Sequence, residues 1–157
     1  MKTAISIECV REVSEIELVY KSKVKPSKRP TVMSSLDAYH IFIKYWDENK
    51  IELIEQFNVM FLNRAAKVLA IYQMSTGGIT GTVADIRLIF TAALKLGAVN
   101  ILVAHNHPSG NIFPSNTDKE LTEKIKQAGR LLNIRLFDHL IIAPEAGYYS
   151  MTDHGLV

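Results

Sequence analysis

One cysteine, Cys9, occurs in 157 residues. That excludes a disulfide framework, and with it any zinc site built on paired thiolates. No apolar run approaches the ~20 residues needed to span a bilayer, so no membrane-crossing helix is expected. The first twenty residues lack the apolar core of a secretory signal and carry Glu8, Arg11, Glu12, Glu15 and Glu17 instead. These absences predict a cytoplasmic, reduced protein. Charge of one sign is also scarce. A net charge of +2 is too small to imply a nucleic-acid partner by itself. Neither GxGxxG nor GxxxxGK[ST] occurs, which removes the common glycine-rich phosphate loops. The segment Gly77-Gly78-Ile79-Thr80-Gly81-Thr82 is therefore read as a turn. There is no internal repeat and no low-complexity tract.

What is present is ordinary for one soluble globular domain, with 48% hydrophobic and 22% charged residues. Ile5, Ile7 and Cys9, then Ile16, Leu18 and Tyr20, alternate as two half-buried strands would. The stretch from Lys21 to Pro30 holds two prolines and five basic residues and reads as a loop. It has no interleaved aromatic, so a solvated loop is preferred to a nucleic-acid patch. Residues 1–33 are taken as a β-rich extension with a basic loop, and 34–157 as the folded domain.

A helix is predicted from Ser34 or Ser35 to about Asn49. Ser34 and Asp37 stand at capping-box spacing, and Leu36, Tyr39, Ile43 and Trp46 form its apolar stripe. His40 lies beside that stripe and is read as packed or surface. Glu55–Leu62 and Val68–Tyr72 read as a strand hairpin. Ala84 to Leu96 reads as a helix burying Ile86, Ile89, Phe90, Ala93 and Leu96, with Gly97 at its end. An apolar strand from Val99 to Ala104 follows. A third helix starts at Ser115 with Leu121, Ile125, Ala128 and Leu132 inward. Ile134–Ala143 and Tyr148–Met151 read as strands. The mixed order predicts a single α/β sandwich around a mixed sheet.

The most specific stretch is Ala104 to Asp118. Residues i and i+2 of a strand share a face, so His105 and His107 project together, while Asn106 faces away and is read as structural. Asp118 returns a carboxylate at the start of the next helix. Two imidazoles and a carboxylate make three ligands, and three N/O ligands plus a water is how catalytic zinc is held. Ser115 and Asp118 also have the spacing of a helix cap, which would stabilise the helix with no chemistry at all. The two readings are compatible.

The joint spacing His105-x-His107-x7-Ser115-x2-Asp118 resembles the JAMM motif of the JAB/MPN metalloprotease superfamily, H-x-H-x7-S-x2-D. The wording HNHPSG, PS-x-x-D and Leu136-Phe137-Asp138-His139-Leu140-Ile141-Ile142 is similar to the RadC branch, over about Ser34 to the C-terminus. Glu55, in Glu55-Gln56-Phe57, matches the glutamate that this pattern carries on an earlier strand. Glu52 is a nearby decoy. The resemblance implies a JAB/MPN-like (cytidine deaminase-like) fold and zinc on His105, His107 and Asp118. It also implies Glu55 as general acid/base, Ser115 at the oxyanion, and hydrolysis of a peptide or Lys-linked isopeptide bond in a protein or peptide substrate. His and Asp suit several divalent ions. Asp138 and His139 belong to the RadC wording and are read as structural, with at most one facing the site. Tyr148 and Tyr149 are read as core or sheet-edge residues, and His154 as exposed.

The chain departs from the branch in two places. Ile86-Arg87-Leu88 stands where members commonly have Pro-Arg-Glu. The helix-hairpin-helix module that would suggest DNA contact has no counterpart in the first 33 residues. The rival readings are a non-catalytic MPN binding module and a DNA-associated accessory protein using the Lys21–Arg29 charges. Dimer formation through an N-terminal strand edge is a further expectation.

Overall fold

The computed structural model describes residues 22–76 and 84–157. The expected N-terminal strand pair and the turn at Gly77–Thr82 lie outside the described residues. Element order is α1 (Ser35–Tyr45), β1 (Gln56–Leu62), β2 (Val68–Thr76), α2 (Ile86–Leu96), β3 (Asn100–Asn106), α3 (Asn116–Leu131), β4 (Arg135–Ala143) and β5 (Gly147–Ser150). The strands make one mixed sheet in the order β2-β1-β3-β4-β5. Only β3 and β4 run parallel, because α3 carries the chain back between them.

Alternation along the strands sorts the core into two layers. Phe57, Val59, Phe61, Ile101 and Val103 pack under Ile89, Phe90 and Ala93 of α2 and Ile125 of α3. Met60, Leu62, Leu102, Ala104, Leu140 and Ile142 pack on the other face, under Ala38 and Phe42 of α1. With both faces covered, every residue of β1 is buried. This is the α/β single domain with a mixed sheet that the sequence predicts.

Several expectations need correction. Helix α1 ends at Tyr45, short of Asn49; Trp46 is extended at φ −65° and ψ 144°. Asp47 then holds the next turn by accepting from the Asn49 N–H at 3.1 Å. Its buried stripe is Ala38 and Phe42, continuing to Trp46, whereas Leu36 is 48% exposed. Ser34 does cap α1, but Asp37 accepts from the Met33 N–H at 2.9 Å, one residue upstream of the reciprocal capping-box bond. Helix α2 starts two residues later than Ala84 because Asp85 caps it through the Arg87 N–H. In α3, Leu132 lies outside the helix and is exposed, while Thr122 and Gly129 are buried. Strand β2 runs four residues beyond Tyr72, to Thr76.

One irregularity matters for the site. Ile101 pairs with Leu136, but Leu102 pairs with Asp138, so Phe137 is an extra residue bulged out of β4. After the bulge, Asp138 shares the α1 face with Leu102, and His139 shares the α2/α3 face with Val103.

Candidate metal centre

His105 is the penultimate residue of β3, 3% exposed, with its ring parallel to Phe57 of β1 at 6.2 Å. His107 stands just past the strand, held by its N–H donating to the Ile142 carbonyl at 2.8 Å. The chain then turns at Gly110, where φ of +81° suits glycine. The His107 Nδ1–H donates to the Asn111 carbonyl at 2.6 Å, which in the neutral ring leaves Nε2 without a hydrogen.

Asp118 arrives from the first turn of α3. Ser115 is the N-cap and closes a full capping box. The Ser115 N–H and Oγ–H both donate to Asp118 Oδ2, at 2.7 and 2.6 Å, and the Asp118 N–H donates to Ser115 Oγ at 3.2 Å. The other carboxylate oxygen, Oδ1, is 3.2 Å from His105 Nε2. Burial works to raise the Asp118 pKa. In the acid range where a carboxyl titrates and an imidazole carries its proton, the hydrogen bond and charge of His105, with the two bonds from Ser115, outweigh it and hold the carboxyl well below the usual carboxylate range.

The three ligand atoms of His105, His107 and Asp118 lie within 4.8 Å of one another and could hold a metal ion. The two Nε2 atoms are 2.9 Å apart, and His107 Nε2 is 3.7 Å from Asp118 Oδ2. Among the described residues this is the one such group.

Glu55 precedes β1 and is half-buried. Phe57 pairs with His105; Glu55 lies two residues before it, ahead of the strand, where a continued alternation would put it on the same face. Asn106 faces the opposite way, as expected, and is fully buried. Its role is more than packing. Its Nδ2 donates to the Ile51 and Ile54 carbonyls at 2.6 and 2.9 Å, and its Oδ1 accepts from the Gln56 N–H at 2.7 Å. The amide thus ties down the segment that delivers Glu55. The signal was available: an Asn between two inward histidines on a buried strand must find partners on the far side.

His139, for which the sequence suggests a structural role, touches the site. It is fully buried, with Nε2 2.8 Å from His105 Nδ1 and Nδ1 2.6 Å from Thr122 Oγ1. Burial drives its pKa well below that of a free imidazole; the neighbouring His105 and His107 charges add to this and Asp118 opposes it. Asp138 faces away and is structural, accepting from Ser150 Oγ at 2.6 Å and the Thr152 N–H at 2.9 Å. Tyr148 and Tyr149 lie on the edge strand β5. His40 is exposed. His154 is exposed as expected, but stacks on Tyr149 at 4.0 Å.

An α/β domain with a His-His-Asp cluster where a central strand meets a helix N-terminus has the form of a JAB-type domain. The family model for the RadC-like JAB domain matches residues 32–156, and the chain belongs to that family. It is 41% identical over 150 residues to a UPF0758 protein of Flavobacterium johnsoniae, covering 95% of this chain and 64% of that one. A UPF0758 protein of Porphyromonas gingivalis is 43% identical over 103 residues, 66% of this chain and 45% of its own length. One from Thermosynechococcus vestitus is 30% identical over 166 residues, 94% of this chain and 66% of that one. The chain therefore spans less than two thirds of the length of these relatives. No helix among the described residues is long and apolar enough to cross a membrane.

Proposed function

We propose that the chain is a zinc-dependent hydrolase of amide bonds, acting on a peptide or Lys-linked isopeptide in a protein or peptide substrate. The observation that carries this reading is the convergence of His105 Nε2, His107 Nε2 and Asp118 within 4.8 Å, at one end of the sheet. Ligands about 2.0–2.1 Å from a tetrahedral zinc stand roughly 3.3 Å from one another. His105 Nε2 stands 2.9 Å from His107 Nε2 and 3.2 Å from Asp118 Oδ1, close to that value.

Bound there, zinc would supply a Lewis acid that brings the pKa of a water down to about 7. Glu55 takes the proton of the attacking water and delivers it to the leaving amine. Ser115 faces the oxyanion that develops on the substrate carbonyl. Its single hydroxyl hydrogen rests on Asp118, 2.6 Å away, so this role requires the hydrogen to rotate towards substrate.

The test is metal content by elemental analysis beside cleavage of a peptide and isopeptide library. The wild type is expected to take up about one zinc per chain. His107→Ala should lose it, and Glu55→Gln should keep it while losing turnover. A wild type that takes up no zinc when supplied with it overturns the reading.

A further inference from the structure

Thr122 has one hydroxyl hydrogen and two candidate acceptors besides His139. They are the Asp118 main-chain carbonyl at 2.6 Å and Met151 Sδ at 3.3 Å. A carbonyl and a thioether only accept. At 2.6 Å the Asp118 carbonyl, which cannot donate, must be the group that holds the hydrogen; Thr122 Oγ1 then has none left for His139, and at 2.6 Å it must receive one from His139 Nδ1. His139 has no exposed surface, and no carboxylate within hydrogen-bond reach among the described residues, so a charged imidazolium there would be buried unpaired. With its one hydrogen on Nδ1, its Nε2 is an acceptor. That Nε2 is 2.8 Å from His105 Nδ1, which must then be the donor.

We infer that Thr122 and His139 are positioning residues that fix the tautomer of His105, holding its hydrogen on Nδ1 and its Nε2 lone pair open towards His107 and Asp118. The chain of donors starts at His105, passes through His139 and Thr122, and ends on the main chain of Asp118, itself a member of the cluster. The Asn111 carbonyl does the same for His107 in a single step. Both Nε2 atoms are then bare at 2.9 Å, with a carboxylate oxygen at 3.2 Å. Three acceptors without a donor between them attract a cation. The inference adds to the metal reading the two residues that make the site receptive before any ion arrives.

The test does not depend on turnover. Chain labelled with ¹⁵N-histidine, free of metal and held at pH 9, reports each ring's tautomer by long-range ¹H–¹⁵N correlation. The expected wild-type result is Nδ1–H on His105 and on His139. Thr122→Val removes the hydroxyl at nearly the same volume. His139 should then move its hydrogen to Nε2, and His105 its hydrogen to Nε2 in turn. Zinc affinity, read by competition with a chelator, should fall 10–100-fold, the usual consequence of losing a ligand's outer partner. Thr122→Ser should restore both, which separates the hydroxyl's role from simple packing. Nε2–H on His105 in the wild type, or unchanged tautomers in a folded Thr122→Val chain, overturns the inference. Wild-type tautomers as stated with no zinc uptake would uphold it and overturn the hydrolase reading instead.

Discussion

Asp118 serves several neighbours at once. One oxygen faces His105, the other takes two hydrogens from Ser115, and its own N–H completes the capping box. These contacts hold its folded pKa below that of the unfolded chain, about 3.9. A depressed carboxyl contributes stability above the unfolded pKa and loses it as pH falls towards the folded one. Denaturant melts of the metal-free wild type should therefore weaken as pH drops below about 4. Asp118→Asn should be less stable at neutral pH and show a shallower decline on the acid side. A neighbouring prediction concerns Asn106. Changing it to Leu strands the Gln56 N–H and two carbonyls; each stranded group typically costs about 1–3 kcal/mol. That chain should keep its metal site, because Asn106 faces away from the ligands, while turnover falls with the displaced Glu55. Equal loss of metal and turnover would contradict this.

At the scale of elements, α3 is the part that presents the site. Ser115→Ala removes its cap and should cost roughly 0.5–2 kcal/mol in a melt, along with part of what orients Asp118. Near its other end, Gly129 lies against Ile134, in the turn that leads into β4. A Cβ there would clash with the Ile134 carbonyl oxygen and sit 3.4 Å from Phe90. Backbone has to move to admit it, so Gly129→Ala should destabilise by about 1–3 kcal/mol, the usual range for overpacking. The β3–α3 unit was legible in the sequence because its signals are local: an apolar run, two histidines at strand spacing, and a cap. Helix α1 was less so. Of Leu36, Tyr39, Ile43 and Trp46, the last three do pack on the sheet side, but Ala38 and Phe42 between them are the fully buried residues and Leu36 is exposed. Which of two adjacent stripes is buried deeper depends on the partner surface. The contact from His139 to His105 was out of reach for a similar reason: it depends on a bulge, and a bulge is defined only against the neighbouring strand.

For the whole molecule, the sheet brings together residues far apart in the chain. Phe57 and His105, forty-eight positions apart, pair across β1 and β3. His139 is linked to Thr122 across α3 and β4. The His-His-Asp cluster that could hold a metal comes from one short stretch, so it and the proposed placement of Glu55 are separable properties. The α/β sandwich around a mixed sheet followed from the mixed pattern of elements, whereas the strand order, the strand limits and the bulge followed only from pairing.

The bulge at Phe137 also bears on how this strand tolerates changes of length. Because Phe137 is the unmatched residue, a chain lacking it would join Leu136 directly to Asp138 and leave an unbroken ladder, with His139 still opposite Val103. Such a deletion forfeits the half-buried Phe137 ring and the Arg135 guanidinium lying 5.3 Å over it, so its melting temperature should drop. Its histidine tautomers and zinc uptake should survive. Deleting Leu140 instead slides every later residue onto the other face, setting Ile142 against His105 in place of Ile141. Strand β4 thus contains a single position at which loss of a codon is a matter of stability, in a stretch where loss of the next few would be a matter of fold.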